Sequence, residues 1–265
     1  MKTVKTIILT SIVAFLFSAC QDVIDIDLDS IEPKIVVDGA LTDISDSVQI
    51  KITKSTDYFK PGNYPAVSGA TVTLSDDIGN TRQLAEIKPV IYAGDWRSIE
   101  GTEYTLEVEA EGESYVGTVK MPYKVSIDSL SFEPTPEYME FTGGYLVNCH
   151  LHDPAGVENF YRLKVSKPNG STEKIMYVFD DAFVDGNEIS TQWDNEQFFE
   201  NDTVVVELQT LAESTYDYYR TLSSLFEDGM IGTANPSNPV TNLSNGALGY
   251  FGAYTVSRDT IVILP

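Results

Sequence analysis

The chain has 265 residues, 42% of them hydrophobic, and a formal charge of −23 at pH 7. That apolar content supports a real core and excludes wholesale disorder. The acidic excess excludes nucleic-acid backbones and anionic headgroups as natural partners.

Residues 1–19 read as a signal peptide. Lys2 and Lys5 form a positive start, and Ile7 to Phe17 is an apolar run broken only by Thr10 and Ser11. The run falls short of the roughly 20 residues that a membrane-spanning helix needs and fits a signal-peptide core. Phe17-Ser18-Ala19-Cys20 follows, with small residues before the cut and a cysteine at it. The Cys20 thiolate is the nucleophile that would accept diacylglycerol. Phe17 stands where leucine is usual, and the alternative is an ordinary secretory signal with an incidental cysteine. Each buried CH₂ adds about 0.8 kcal/mol, so two or more acyl chains anchor a protein stably. The expectation is a chain tethered to a membrane by a lipid on Cys20, since no later segment is apolar enough to span one.

Residues 20–33 form the anchor and an N-terminal arm. Ile24, Ile26 and Leu28 alternate with Asp25, Asp27 and Asp29. Period-two alternation predicts a half-buried strand whose charged face blocks edge-to-edge pairing.

Residues 34–123 read as an antiparallel β-sandwich. Lys34–Asp38, Val48–Thr53, Ala70–Leu74, Glu103–Ala110 and Tyr115–Val119 are strand-like, with turn residues at Asp76–Asn80 and at Glu111-Gly112. Glu111-Gly112 between two alternating runs signals a hairpin. Strands about every ten residues, with turn signals between them, indicate a sandwich. Pro122 to Val125 is the boundary to a second β-rich region, residues 124–265.

In that region Val125–Leu130, Tyr145–Leu151, Phe160–Val165, Ile175–Phe179 and Val204–Leu208 are strand-like. The period then changes. Leu211, Thr215, Tyr218, Tyr219, Leu222, Leu225 and Phe226 share a helical face, predicting one helix near 214–228. Ser214 and Asp217 suggest a capping box and Gly229 a C-terminal cap. Asn235 to Asn245 reads as a long loop, and Gly246–Thr255 and Thr260–Leu264 as closing strands. The glycines of Gly246-Ala-Leu-Gly-Tyr-Phe-Gly252 suit a close strand approach or a bulge rather than a phosphate loop.

Four groups of residues could carry chemistry. His150 and His152 project to one side of a strand and could hold a transition metal with Asp153 or another carboxylate. A structural site normally needs four ligands and no second His/Cys cluster exists, so solvent-facing histidines are expected. The run Asp180-Asp181-Ala-Phe-Val-Asp185-Gly186-Asn187-Glu188 is oxygen-rich like a calcium loop, but its spacing is not that of an EF-hand. An acidic hairpin tip is the expectation there. Cys149, the other cysteine, should be a buried small hydrophobe. No Gly-x-Ser-x-Gly elbow marks a nucleophile and no serine is marked as a partner for either histidine. Tyr58, Phe59, Tyr64, Tyr92, Trp96, Trp193, Phe198 and Phe199 lie in or near expected loops, where aromatics bind partners, although core packing is the commoner role. No cofactor is implied.

A series of short motifs runs along the chain: Val36-Val-Asp-Gly39, Asp57-Tyr-Phe59, Val67-Ser-Gly-Ala70, Asp153-Pro154 with Glu158-Asn-Phe-Tyr-Arg162, Tyr216-Asp-Tyr-Tyr-Arg220, and Asn235-Pro-Ser-Asn-Pro-Val240 running into Gly246–Ala253. In this order they resemble a lipoprotein family of Bacteroidota known as domain-of-unknown-function family 4249. The resemblance implies an outer-membrane lipoprotein often encoded beside a TonB-dependent transporter, and it implies no catalytic residues. The acidic arm behind Cys20 resembles the surface-export signals of such lipoproteins. By fold analogy the first half is similar to immunoglobulin-like domains. The expected architecture is therefore mainly β: an immunoglobulin-like antiparallel sandwich packed on a β-rich domain with one helix. The expected role is a non-enzymatic, surface-facing accessory subunit of a TonB-dependent transporter. An adhesin or surface-structural protein is the alternative, and a hydrolase a minor one.

Overall fold

The structure is a computed structural model that describes residues 32–56, 64–136, 143–168, 177–231 and 238–264, without the side chains of 194–196 and 226–231. The signal peptide, Cys20, the Ile/Asp arm, Tyr58 and Phe59 lie outside the described residues.

Residues 33–265 form one compact unit. Its first seven strands are β1 (Ile35–Thr42), β2 (Ser47–Lys54), β3 (Thr71–Asp76), β4 (Thr81–Lys88), β5 (Ile91–Asp95), β6 (Glu103–Ala110) and β7 (Glu113–Lys120). Alternation sets their inward faces: Val48, Ile50 and Ile52 on β2, and Tyr104, Leu106, Val108 and Ala110 on β6, are buried because successive side chains leave a strand on opposite faces. β1, β2 and β5 meet β3 and β6 across one core. The Glu111-Gly112 hairpin forms, with Ala110 opposite Glu113. Both turn residues have positive φ, 55° and 86°, as the turn favoured between twisted strands requires.

The sequence reading missed β4 and β5. β4 buries only Leu84, so it carries no apolar alternation to detect. It pairs with β3 through residues 81–84 and with β5 through residues 85–88, with a register shift between Glu86 and Lys88. β4 thereby carries the ladder from one layer to the other.

The second set of elements is β8 (Ile127–Pro134), β9 (Tyr145–His152), β10 (Phe160–Ser166), β11 (Tyr177–Asp180), β12 (Glu188–Phe198), β13 (Thr203–Leu211), helix α1 (Glu213–Ile231) and β14 (Leu248–Val262). The three-stranded sheet β12-β9-β8 is separate. Its Val147, Cys149, Leu151 and Trp193 pack against Tyr161, Leu163, Val204, Val206 and Leu208 of β10 and β13 in a second core. The first core draws mainly on residues 35–121 but also takes Ala212, Leu243 and Ala247 from the second half, and the main sheet does not stop between the two cores. Its order is β11-β10-β13-β14-β1-β2-β5-β4-β3-β6-β7, and Phe251 and Ala253 of β14 belong to the first core.

The two closing strands expected at the C-terminus are one strand of 15 residues. Residues 248–254 of β14 pair in parallel with β1, and residues 254–262 pair antiparallel with β13. α1 begins at Glu213, and the Ala212 carbonyl accepts the Tyr216 N–H at 2.9 Å. The Ser214 capping box is not made: its hydroxyl meets the Asn242 amide at 3.4 Å, and Asp217 pairs with Arg220 at 3.1 Å. Gly229 lies inside α1 rather than beyond its end.

Gly249 shows why a glycine is needed in β14. Its φ is +87°, and a Cβ there would lie 1.9 Å from the Val37 carbonyl oxygen of β1. Gly249→Ala should therefore cost about 3 kcal/mol or more in urea unfolding. Gly112→Ala, also at positive φ but facing open space, should cost about 1 kcal/mol. Equal losses at the two positions would refute close strand approach as the cause.

Candidate functional site

Several strand ends meet at one end of the second layer pair. Asp153 follows β9, Asn159 precedes β10 and Asp181 follows β11. The β9–β12 ladder is extended by the Asp153 N–H bond to Asn187 O, 3.0 Å, and the β10–β11 ladder by the Asp181 N–H bond to Asn159 O, 3.2 Å. Pro154 cannot donate to a ladder and ends β9. Gly186 takes φ +72°, and a Cβ there would lie 2.7 Å from the Ala155 Cβ. The turn it permits folds Asp185 back toward Asp181.

The result is a cluster in which Asp153, Asp181 and Asp185 place carboxylate oxygens within 4.8 Å of one another. Asp153 and Asp181 are buried and Asp185 is exposed. Asp153 accepts hydrogen bonds from the Tyr161 hydroxyl and from Gly186 N–H, the latter at 3.0 Å. Asp181 accepts one from Asn159 N–H at 2.8 Å, and Asp185 one from Gly156 N–H at 2.7 Å. These donors solvate the oxygens but bring no positive charge. Among the described residues no Lys or Arg pairs with any of the three.

Two unit charges about 4 Å apart near a protein surface repel by roughly 4 kcal/mol. Burial raises the Asp181 pKa; the Asn159 N–H opposes that rise, and the neighbouring Asp153 and Asp185 charges add to it. Burial and then Asp153 hold the Tyr161 phenol far above its ordinary value, so it remains a donor.

The opposite face of β10, β13 and β14 carries α1 on an aromatic seam. Phe160 stacks on Tyr216 at 4.8 Å and Tyr250 on Tyr218 at 4.3 Å. Tyr219 and Tyr250 share a hydroxyl hydrogen bond of 2.7 Å, and the Arg162 guanidinium lies 4.3 Å from the Tyr219 ring centre. Tyr216 donates to Asp180 at 2.9 Å. Burial first, then Asp180, pushes Tyr216 up to about 12. Further along this face Glu207 meets Arg258 at 2.6 Å and Lys164 at 3.5 Å. Burial raises the Glu207 pKa, but the two cations and the Gln209 amide outweigh it, so the carboxyl lies below its ordinary value.

His150 and His152 do leave the same side of β9, but among the described residues they join no group of three metal-ligating side chains. Asp153, offered as their third ligand, is bonded instead to Tyr161. His150 Nε2 meets Ser131 Oγ at 2.7 Å, a serine partner that no sequence signal marked. Among the described residues no carboxylate orients that imidazole, as a triad requires. Cys149 is buried, and burial raises its thiol to about 12, so it acts as an apolar core residue. Tyr92, Trp96, Trp193 and Phe198 are core residues rather than loop aromatics, whereas Tyr64 and Phe199 are exposed.

The sequence reading held both acidic stretches, 153 and 180–188, but did not join them. It missed Asn159, Tyr161 and Arg162 as site residues. Asn159-Phe-Tyr-Arg162 reads locally as the start of an ordinary strand, and nothing local reports what lies across the sheet.

Fold and site together define a mainly-β protein of mixed and antiparallel sheets, with one helix among the described residues. The chain belongs to the family described as Domain of unknown function (DUF4249), whose model matches residues 21–260. Comparison with curated proteins gives no match.

The Glu207 network makes a pH-dependent contribution. A carboxyl held below its unfolded pKa stabilises the fold above that value, and the stability is lost as pH falls through the folded pKa. Both cationic partners are half exposed, so the contribution is about 1 kcal/mol. Glu207→Gln should lower stability by that amount at pH 7 and by nothing measurable near pH 2. A pH-independent difference in urea midpoints would contradict this.

Proposed function

We propose that the protein is a non-enzymatic lipoprotein of the outer membrane, anchored through Cys20, that serves a TonB-dependent transporter as a surface-facing accessory subunit in nutrient capture. The observation that carries this reading is the Phe17-Ser-Ala-Cys20 box directly behind a short apolar run with Lys2 and Lys5 ahead of it. Three further observations support it. The formal charge of −23 keeps such a protein soluble at high density beside a membrane. No helix among the described residues is long and apolar enough to cross a membrane. Among the described residues no carboxylate completes the Ser131–His150 pair as a triad.

A second reading, adhesion or surface scaffolding, draws on exposed loop aromatics. Phe183 is 99% exposed, and Tyr64, Tyr123 and Phe199 are also open to solvent. Solvent-facing aromatics of this kind suit a protein partner.

Two measurements test the leading reading. Cys20→Ser should move the protein from the membrane pellet to the soluble fraction, with loss of acyl label. Affinity capture of the wild-type chain from detergent-solubilised native membranes should co-purify a β-barrel transporter. Capture without any barrel would count against the accessory role. Loss of surface attachment in a deletion strain with intact nutrient uptake would favour the second reading.

A further inference from the structure

We infer that Asp153, Asp181, Asp185 and the Asn159 amide form a calcium site that ties together the ends of β9, β10 and β11. The carboxylates alone would be only an acidic cluster. The independent observation is Asn159, which is 7% exposed and whose Oδ1 is buried without any hydrogen-bond partner.

The register places that oxygen. Phe160 lies opposite Asp180 on the β10–β11 ladder, and the Asp181 N–H bond to Asn159 O continues it by one pair while the Asn159 N–H turns to the Asp181 carboxylate. Residues directly opposite one another send their side chains from the same face. Tyr161, two residues along, shares that face, and its hydroxyl reaches Asp153. The Asn159 amide therefore stands on the carboxylate side of the sheet. Its oxygen is an acceptor among acceptors, because ionised carboxylates offer no hydrogen. Neighbouring side chains that only accept cannot satisfy it, whereas a cation satisfies it and the carboxylates together.

The donor set selects the ion. All four groups are hard oxygens, with no imidazole or thiolate, which favours calcium or magnesium over zinc or copper. Magnesium demands near-ideal octahedral geometry and usually keeps several waters on one or two carboxylates. Calcium accepts irregular sets of six to eight oxygens. Three carboxylates and an amide drawn from three separate segments match that tolerance. The site would also fix the 181–187 turn, which carries the exposed Phe183. The inference is independent of the lipid anchor and of any transporter partner.

The test uses the full chain, purified in detergent and stripped with EDTA, with CaCl₂ and MgCl₂ as probes. Calorimetry should show one calcium per chain. At calcium about 100 times its dissociation constant, the melting temperature should rise by about 5 °C or more. Magnesium should bind at least about tenfold more weakly. Asp185→Asn, at the exposed ligand, should fold normally by circular dichroism and weaken calcium by about tenfold or more; Asn159→Ala should weaken it also. A folded wild-type chain that shows neither heat nor thermal shift with 10 mM calcium, as a test concentration of about that order, would overturn the site. So would unchanged affinity in both variants, and magnesium binding as tightly as calcium would overturn the assignment of the ion.

Discussion

The backbone of β14 changes its partner strand midway along its length, and the way its edges are met organises the molecule. Residues 248–254 bond to β1 on one edge, and residues 254–262 bond to β13 on the other. Tyr254 is the residue common to both ladders. Each half therefore has a second edge left open, and an open edge inside a protein is costly because buried amides need partners. On the first half, Asn242 acts as a substitute strand: its amide donates to Phe251 O at 2.7 Å and accepts from Phe251 N–H at 3.0 Å. Next to it, Ala212 donates to Ala253 O at 3.0 Å, and Thr215 accepts from Ala253 N–H at 3.1 Å. On the second half, Asp43 accepts from Val256 N–H at 2.9 Å, and the Ser257 hydroxyl accepts from Ile127 N–H at 3.0 Å, which ties β8 to β14 through a side chain.

These edge contacts place everything else. The start of α1 is held against β14 by Ala212 and Thr215, so the helix runs over the seam of Phe160, Arg162 and Tyr250. Asp43 also pairs with Lys124 at 2.6 Å, which docks the 122–126 junction beside the same strand. Val125 N–H donates to Thr210 at 3.1 Å, a second tie between that junction and the second core. A parallel pairing of β1 with β14 brings the two ends of the described chain into one sheet, so the halves share hydrogen bonds as well as contacts.

The acidic cluster is a consequence of the same layout. β9 belongs to the three-stranded sheet, while β10 and β11 belong to the main one. Where the two layers end together, Asp153 at the end of β9 meets Asp181 at the end of β11 and Asp185 in the turn that leads on to β12. Tyr161 bridges the layers through its hydroxyl, and its ring lies 5.2 Å from that of Phe179 within the second core. The buried Asp153 and Asp181 carboxylates thus rest on the core's own packing, which gives them fixed positions that an exposed acidic loop would lack.

Local chemistry written into the chain determined a good deal. Alternation marked β2, β6 and β7; strand-like apolar runs marked β9 and β13; Glu111-Gly112 marked its hairpin; the change of period marked α1; and the glycines around 249 marked a close approach. The box at Cys20, on which the proposed lipid anchor rests, was legible for the same reason, since it is a short contiguous pattern. Polar strands were not legible, because β4 buries one side chain and so leaves no periodic trace. The cap of α1 was misplaced because Ser214 and Asp217 are claimed by Asn242 and Arg220, partners set by the fold. Only the tertiary structure decided the candidate site. Asp153, Asn159 and the turn holding Asp181 and Asp185 come from three separate segments, and their approach depends on ladder register and layer packing, which no local pattern of residues encodes.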